Sequence, residues 1–424
     1  MYVAQLLQVK AFFISRHYIT TISAIISFVF VLTKCIDKEK EIKTTTVKRI
    51  SFEQFAGSAK CATCHKEIFE NHIHTGHYLT SQLATEKTIK GTFKAGKNKF
   101  YYNPDLIVAM EKRDSGFYQV VYYKGLERKA LKFDIIIGSG TRGQTFTYSD
   151  DNVLFQLPVS YYTFANQWAK SPGFPAKVQI DRPITSRCLE CHTTFAQTIS
   201  APDNKLEQFY RTHIIFGVDC EKCHGPAARH VEFQLQNPQE KKGKYIINPS
   251  NFSRQQKLDL CALCHGGRLE KTRPSFTFEA GDNLSEYFEL DTLSSSAINL
   301  GNVDAHGNQY GLLKASKCFR MSKDLTCNTC HDTHENERGK LALFSQRCMI
   351  CHKNEHTNFN SMNNVSVSSV KENCIDCHMP AKPSNAIVVF SSGADIPTAA
   401  LFRSHFISIY ADETKKFITT FNKK

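Results

Sequence analysis

Cys220-Glu-Lys-Cys223-His224 places two thiols three positions apart with a histidine directly after the second. This C-x-x-C-H arrangement is the signature of covalent c-type haem attachment. On one helical turn both sulfurs can bond the vinyl groups of a single porphyrin edge while the imidazole comes underneath as an axial iron ligand. The pentad recurs as Cys61-Ala-Thr-Cys64-His65, Cys188-Leu-Glu-Cys191-His192, Cys261-Ala-Leu-Cys264-His265, Cys327-Asn-Thr-Cys330-His331, Cys348-Met-Ile-Cys351-His352 and Cys374-Ile-Asp-Cys377-His378. With 16 Cys and 17 His in 424 residues, random placement would give roughly 0.02 pentads, so seven are not accidental. Fourteen of the sixteen cysteines are committed to thioether positions, and seven covalently attached haem c groups are expected.

Structural zinc and disulfides are the alternatives for a cysteine-rich chain, and both fail on the same detail. Zinc knuckles pair C-x-x-C units with no need of a histidine directly after each. Disulfide frameworks need no histidine at all. The repeated histidine is what an iron requires.

The hydrophobic share of 41% is thin for large aliphatic cores, but the pentads run from Cys61 to His378, so macrocycle is expected to replace much of the side-chain core. The expected fold is mainly α and irregular, organised around stacked covalent haems, with an antiparallel β insert between the first and second haem sites. A formal charge of +13 would otherwise suggest a polyanionic partner. Seven haems with two propionates each add roughly −7 when oxidised and −14 when reduced, which makes the basic excess internal compensation and excludes nucleic acid as the expected partner.

At the N-terminus Lys10, Arg16 and His17 precede an apolar run from Tyr18 to Thr33, which reads as a signal segment or a membrane anchor over residues 1–34. Cys35 follows directly and belongs to no pentad, so it is a lipidation candidate like the modified cysteine of a bacterial lipoprotein, although Lys34 departs from the small residue usual there. Lipidation, an uncleaved anchor and ordinary cleavage all remain open. Residues 35–54 read as a solvated tether, 55–90 as a first haem segment, 91–165 as the β-rich insert, 166–380 as a body holding haems two to seven, and 381–424 as a tail packing on that body. The insert is read from aromatic and β-branched runs such as Lys99-Phe-Tyr-Tyr102, Phe117 to Tyr123, Leu131 to Ile137 and Val153 to Leu157. Turn residues punctuate them at Asn103-Pro104, Asp114-Ser-Gly116, Lys124-Gly125 and Asp150-Asp-Asn152. Gly138-Ser-Gly140-Thr-Arg-Gly143 matches a dinucleotide fingerprint, but strand-like residues follow where a helix is needed, so it is read as a hairpin turn.

On longer motifs the chain resembles multihaem cytochromes of the c-552/4 (c554-type) domain family. The resemblance rests on Gly217-Val-Asp-Cys-Glu-Lys-Cys-His-Gly-Pro226 with His230, on Cys261-Ala-Leu-Cys-His-Gly-Gly-Arg268, on Ser316-Lys-Cys318 ahead of Leu325-Thr-Cys-Asn-Thr-Cys-His-Asp-Thr-His334, and on Cys374-Ile-Asp-Cys-His-Met-Pro380. It implies an exported electron-transfer protein, in the periplasm or on the outer surface of a bacterium, with haems in close-packed pairs and mostly two histidines per iron.

Ten histidines lie outside the pentads. Leaving out His17, the distal-ligand candidates are His77, His213, His230, His306, His334, His356 and His405, with His72 and His74 as spares. His334 lies three residues after His331, too close along the chain to reach the opposite face of its own porphyrin, so it is expected to serve a neighbouring haem. His230 and His356 invite the same reading. No pentad replaces its histidine and no catalytic constellation stands out, which favours electron carriage between redox partner proteins that the sequence does not identify. A multihaem reductase of a nitrogen or sulfur oxyanion at one five-coordinate haem is the alternative, and a haem-bearing scaffold or adhesion protein a second.

Overall fold

Asn103, Lys124-Gly125 and Asp151-Asn152 turn the chain into hairpins, and those hairpins build the first half of the molecule. The computed structural model describes residues 50–424 apart from 176, 200–204, 268, 290–306, 355, 357–366, 391–396 and 422–424. Cys35, the 1–34 segment and His306 lie outside the described residues. The strands are β1 (Ser81–Leu83), β2 (Lys99–Asn103), β3 (Leu106–Arg113), β4 (Gly116–Tyr123), β5 (Leu126–Lys132), β6 (Ile135–Ile137), β7 (Thr145–Asp150), β8 (Val153–Gln156), β9 (Val159–Tyr162) and β10 (Gln167–Lys170). Further along follow β11 (Thr193–Ile199), β12 (Gln208–Phe216), β13 (Glu270–Lys271), β14 (Phe288–Glu289), β15 (Ala381–Val389) and β16 (Thr398–Arg403).

Strands β2-β3-β4-β5 form an antiparallel meander and β1-β6-β7-β8 a second four-stranded sheet. Lys124 and Gly125 both adopt positive φ, 51° and 78°, the geometry that a two-residue hairpin turn matching strand twist demands. Asn103 Oδ1 accepts from the amides of Asp105 and Leu106 and closes the turn before β3. Phe133 and Asp134 break the Leu131–Ile137 run, so that it serves two sheets. The glycine-rich stretch joins β6 to β7, which pair at Ile137 and Thr145, and so turns a hairpin.

The core of this region gathers Ile89, Val108, Met110, Leu131, Phe133, Phe146, Leu157, Val159 and Tyr161 around Trp168. Trp168 is buried, and its indole N–H donates to Thr92 O at 2.8 Å, so it is a packing element. A second core joins Leu154 of β8 and Ile135 of β6 to Leu189, to Phe195 and Ala196 of β11, and to Phe209 and Ile214 of β12. That core is where the sheets meet the haem-clamp region.

The expectation of a mainly α and irregular fold is overturned. Among the described residues sixteen strands form six sheets, and they are not confined to the stretch between the first two pentads. β11 pairs with β12, β13 with β14, and β15 with β16, all antiparallel. The physical reason is length. A pentad makes only about one helical turn, and segments such as Cys220–His224 and Cys374–His378 are five residues long. The chain between pentads must satisfy its own backbone groups, and much of it does so by pairing. Among the described residues no helix is long and apolar enough to cross a membrane.

Candidate haem clamps and iron ligands

In the pentads from Cys188, Cys220, Cys261 and Cys374 the helical turn has two different sides. Positions i, i+3 and i+4 share a helical face, so the two cysteines and the histidine emerge together while the intervening pair points the other way. Leu189 and Glu190, Glu221, Ala262 and Leu263, and Ile375 are accordingly buried, whereas the pentad cysteines are half-buried or exposed. Where the helix is shortest, hydrogen bonds keep the turn: His65, His331 and His352 each donate their amide to the carbonyl of the first cysteine at 2.8, 3.0 and 3.1 Å. Caps fix the entries. Asp219 accepts from Cys220 N at 2.7 Å, the Asn373 side chain accepts from Asp376 N, and Ser253 and Gln256 form a capping box ahead of Arg254–His265.

Several imidazoles are held through Nδ1, the orientation that keeps Nε2 for a metal. His224 Nδ1 donates to Ile247 O at 2.9 Å, His378 Nδ1 to Ser408 O at 2.9 Å, and His230 Nδ1 to Lys244 O at 2.8 Å. His213 Nδ1 donates to Gln197 Oε1 at 3.1 Å, with its ring stacked on Phe52 at 4.4 Å. His192 Nδ1 lies 3.0 Å from Thr80 Oγ1. The carbonyl partners are backbone atoms without a residue signature, which is why the sequence did not reveal them.

Four histidines from outside the pentads face pentad histidines. His77 lies 6.2 Å from His265 between ring centres, His334 6.2 Å from His224, His405 6.0 Å from His331, and His356 5.8 Å from His378. Metal–imidazole bonds of about 2 Å, with the nitrogen about 1 Å from the ring centre, set two axial rings on one metal about 6 Å apart. The spacing therefore fits one iron between each pair. Burial pushes His77 and His405 down to about 4, with the facing His265 and His331 adding to it, and His405 Nδ1 is buried with no hydrogen-bond partner. Neutral rings are what axial ligation needs. His72 is buried with Nε2 3.2 Å from Val218 O, and His74 is exposed.

The thiols also come near one another across pentads. Cys61 lies near Cys220, Cys191 near Cys264, Cys261 near Cys327, and Cys348 near Cys374. All the described cysteines are free of disulfides, and among the described residues no three His, Cys, Asp or Glu side chains converge to hold a bare metal ion. Cys318 is half-buried, and burial raises its thiol.

Clamps of this kind, repeated along one chain, are what covalent attachment of several haem groups would require. The resemblance to the c554 type is borne out: residues 165–225 match the family described as cytochrome c554 and c-prime. The fold is similar to that in the crystal structure of the outer cell wall cytochrome OcwA, with a TM-score of 0.53 and 16% identity, over 86% of this chain and 81% of that one. No curated protein matches the chain in sequence.

Proposed function

We propose that the protein is an exported electron-transfer cytochrome that holds seven haem c groups, most of them between two histidines. The observation that carries this reading is the set of four facing imidazole pairs 5.8 to 6.2 Å apart. Haem c supplies a one-electron couple when bound. The chain's own residues then have three tasks. The fourteen pentad cysteines fix position. His65, His192, His224, His265, His331, His352 and His378 would bind the irons, and His77, His334, His405 and His356 would supply the second imidazole to the irons held by His265, His224, His331 and His378. His213, His230 and His306 are the candidates for the remaining clamps, and His230 is already oriented by Lys244 O.

The third task is spacing. Nearby thiols set clamp one by three, two by four, four by five, and six by seven, which supports electron passage within each of these groups. The similarity to an outer cell wall cytochrome supports export. Partners are taken to be redox proteins met at a membrane surface, where acylated Cys35 would hold the protein.

Pyridine haemochrome analysis with electron paramagnetic resonance of the oxidised protein tests the reading. Seven haems per chain with low-spin iron dominant is the expected result. Five or fewer haems in a matured protein, or a majority of high-spin iron, would overturn it, and turnover of nitrite or tetrathionate would favour a reductase. Mass spectrometry of the mature N-terminus tests the anchor: a peptide starting at unmodified Cys35 or later removes lipidation.

A further inference from the structure

Clamp five, Cys327 to His331, is adjoined on several sides by other clamps. His334, three residues after His331, faces His224 of clamp three at 6.2 Å. Leu258 of the helix Arg254–His265, three residues before Cys261 of clamp four, belongs to a buried cluster against which Cys327 packs, and Arg254 Nε donates to Leu325 O at 3.0 Å. Arg347, the residue before Cys348 of clamp six, donates to Cys330 O at 2.7 Å, and Phe344 of the same helix meets the His331 ring at 5.3 Å.

The tail supplies the remaining side. His405 faces His331 at 6.0 Å. Three residues on, Ser408 O accepts from His378 Nδ1 of clamp seven at 2.9 Å, and Ser408 N donates to His378 O at 3.2 Å. Three residues span at most about 10 Å, so one short segment carries the ring opposite His331 and also orients the imidazole of clamp seven. Ser316 pins that segment. Its fully buried hydroxyl donates to His405 O at 2.9 Å and accepts from Ile407 N at 2.8 Å, and Ile407 packs on the same cluster as Cys327.

The earlier clamps form two branches. Clamp one is tied to three where Glu221 accepts from Gly57, the N-cap of the helix Ser58–Ala62 that carries Cys61. Clamp two is tied to four where Arg187 donates to Leu263 O at 3.0 Å. Both branches lead to clamp five, and clamps six and seven adjoin it. Electron transfer weakens steeply with separation, so short, fixed spans decide the route. We propose that clamp five is the junction through which electrons pass between the two earlier branches and the C-terminal pair, and that Ser316 is the positioning residue of the tail bridge to clamp seven; this rests on reading the clamps as haem sites. In each step one electron leaves a ferrous iron, which becomes ferric, and reduces the ferric iron of the next clamp, with no bond broken.

The test injects an electron at clamp one of the matured protein and reads its arrival at clamp seven. A ruthenium tris-bipyridyl photoreductant is coupled through an azide-bearing amino acid in place of Glu70, an exposed position in the helix that follows His65, with a sacrificial amine to restore the dye. His356→Ala opens the iron of clamp seven, whose five-coordinate ferrous band then marks arrival. That band should rise after the flash, and the rise should be lost once Cys327→Ser with Cys330→Ser has emptied clamp five. Undiminished arrival in a folded protein with one haem fewer would overturn the junction and leave the electron-transfer reading intact. Where the emptied variant misfolds, single reporters decide: with His334→Ala, His405→Ala and His356→Ala in separate proteins the band should appear in the order three, five, seven, and arrival at seven no later than at five would overturn the junction. Ser316→Ala gives a readout independent of transfer. Hydrogen exchange at the Ile407 amide should quicken, the low-spin paramagnetic resonance signals of two irons should shift together, and Ser316→Thr should restore both. A freed Ile407 amide with every signal unchanged would overturn the tail bridge. Absence of the Cys327–Cys330 haem from the unsubstituted protein would instead remove the reading on which the junction depends.

Discussion

Gly217 sits three residues ahead of Cys220 with φ at 71°, and a Cβ there would fall 2.2 Å from Tyr78 O. Beside it Val218 N donates to His77 O at 2.9 Å, so one glycine seats the third clamp against the segment that carries His77. Gly217→Ala should cost about 3 kcal/mol or more, from left-handed strain together with a backbone clash, seen as a lower midpoint in denaturant. His334 makes a second prediction. Its ring faces His224 and not its own neighbour His331, so His334→Ala should leave one high-spin iron, able to bind carbon monoxide when reduced, at the Cys220–Cys223 clamp. His405→Ala should do the same at Cys327–Cys330, and the double variant should show two such irons by electron paramagnetic resonance. One high-spin iron in the double variant would mean the two histidines serve a single site.

At the scale of elements, Glu221 shows what a pentad's inner residues do. Its buried carboxylate accepts from the amides of Ala56, Gly57 and Ala227, each at 2.8 Å, and thereby ties the first haem segment to the third clamp. Charged hydrogen bonds contribute about 1.5 to 3 kcal/mol each, so Glu221→Ala should cost about 3 to 5 kcal/mol and expose the chain near Ala56 to proteolysis, while Glu221→Gln should lose less. The sequence marked the pentads because their chemistry permits only cysteine and histidine at fixed spacing, and it marked turns such as Lys124-Gly125 because positive φ restricts the residues. It did not mark Glu221, which looks like any glutamate on a short helix. Nor did it mark β11 and β12. Thr193–Ile199 and Gln208–Phe216 alternate poorly, because bulges shift their register near Phe195 and Ala196. β15 was hidden by Pro383, which a strand tolerates only at an edge or irregularity, and its pairing with β16 does shift register between Pro383 and Val388.

For the whole molecule, the two kinds of core predict two kinds of folding. Residues 84–180 supply the entire cluster around Trp168 from their own side chains. The clamps draw on smaller clusters, such as Ala262, Leu263, Leu284 and Phe288 or Leu258, Leu313 and Phe319, and leave their cysteines half-buried or exposed beside space that haem is proposed to fill. In protein expressed without haem attachment, amides of β3, β4 and β7 should therefore keep slow hydrogen exchange while those of Cys220–His224 and Cys374–His378 exchange freely. Equal protection throughout would count against macrocycle as core. Trp168→Ala separates the two cores in the matured protein: it should cost about 3 to 5 kcal/mol and leave the haem spectrum unchanged.

The pairing of His224 with His334 and of His331 with His405 also sets a timetable. A chain that emerges N-terminus first presents His224 about 110 residues ahead of the ring that faces it, roughly 5 to 20 seconds at ordinary synthesis rates. On the proposed ligation, the third clamp could be loaded but not closed for that interval, and the fifth clamp would wait in the same way for His405. Maturation would then finish from the C-terminal side, and a chain truncated before His405 would leave the clamp at Cys327 loaded but open.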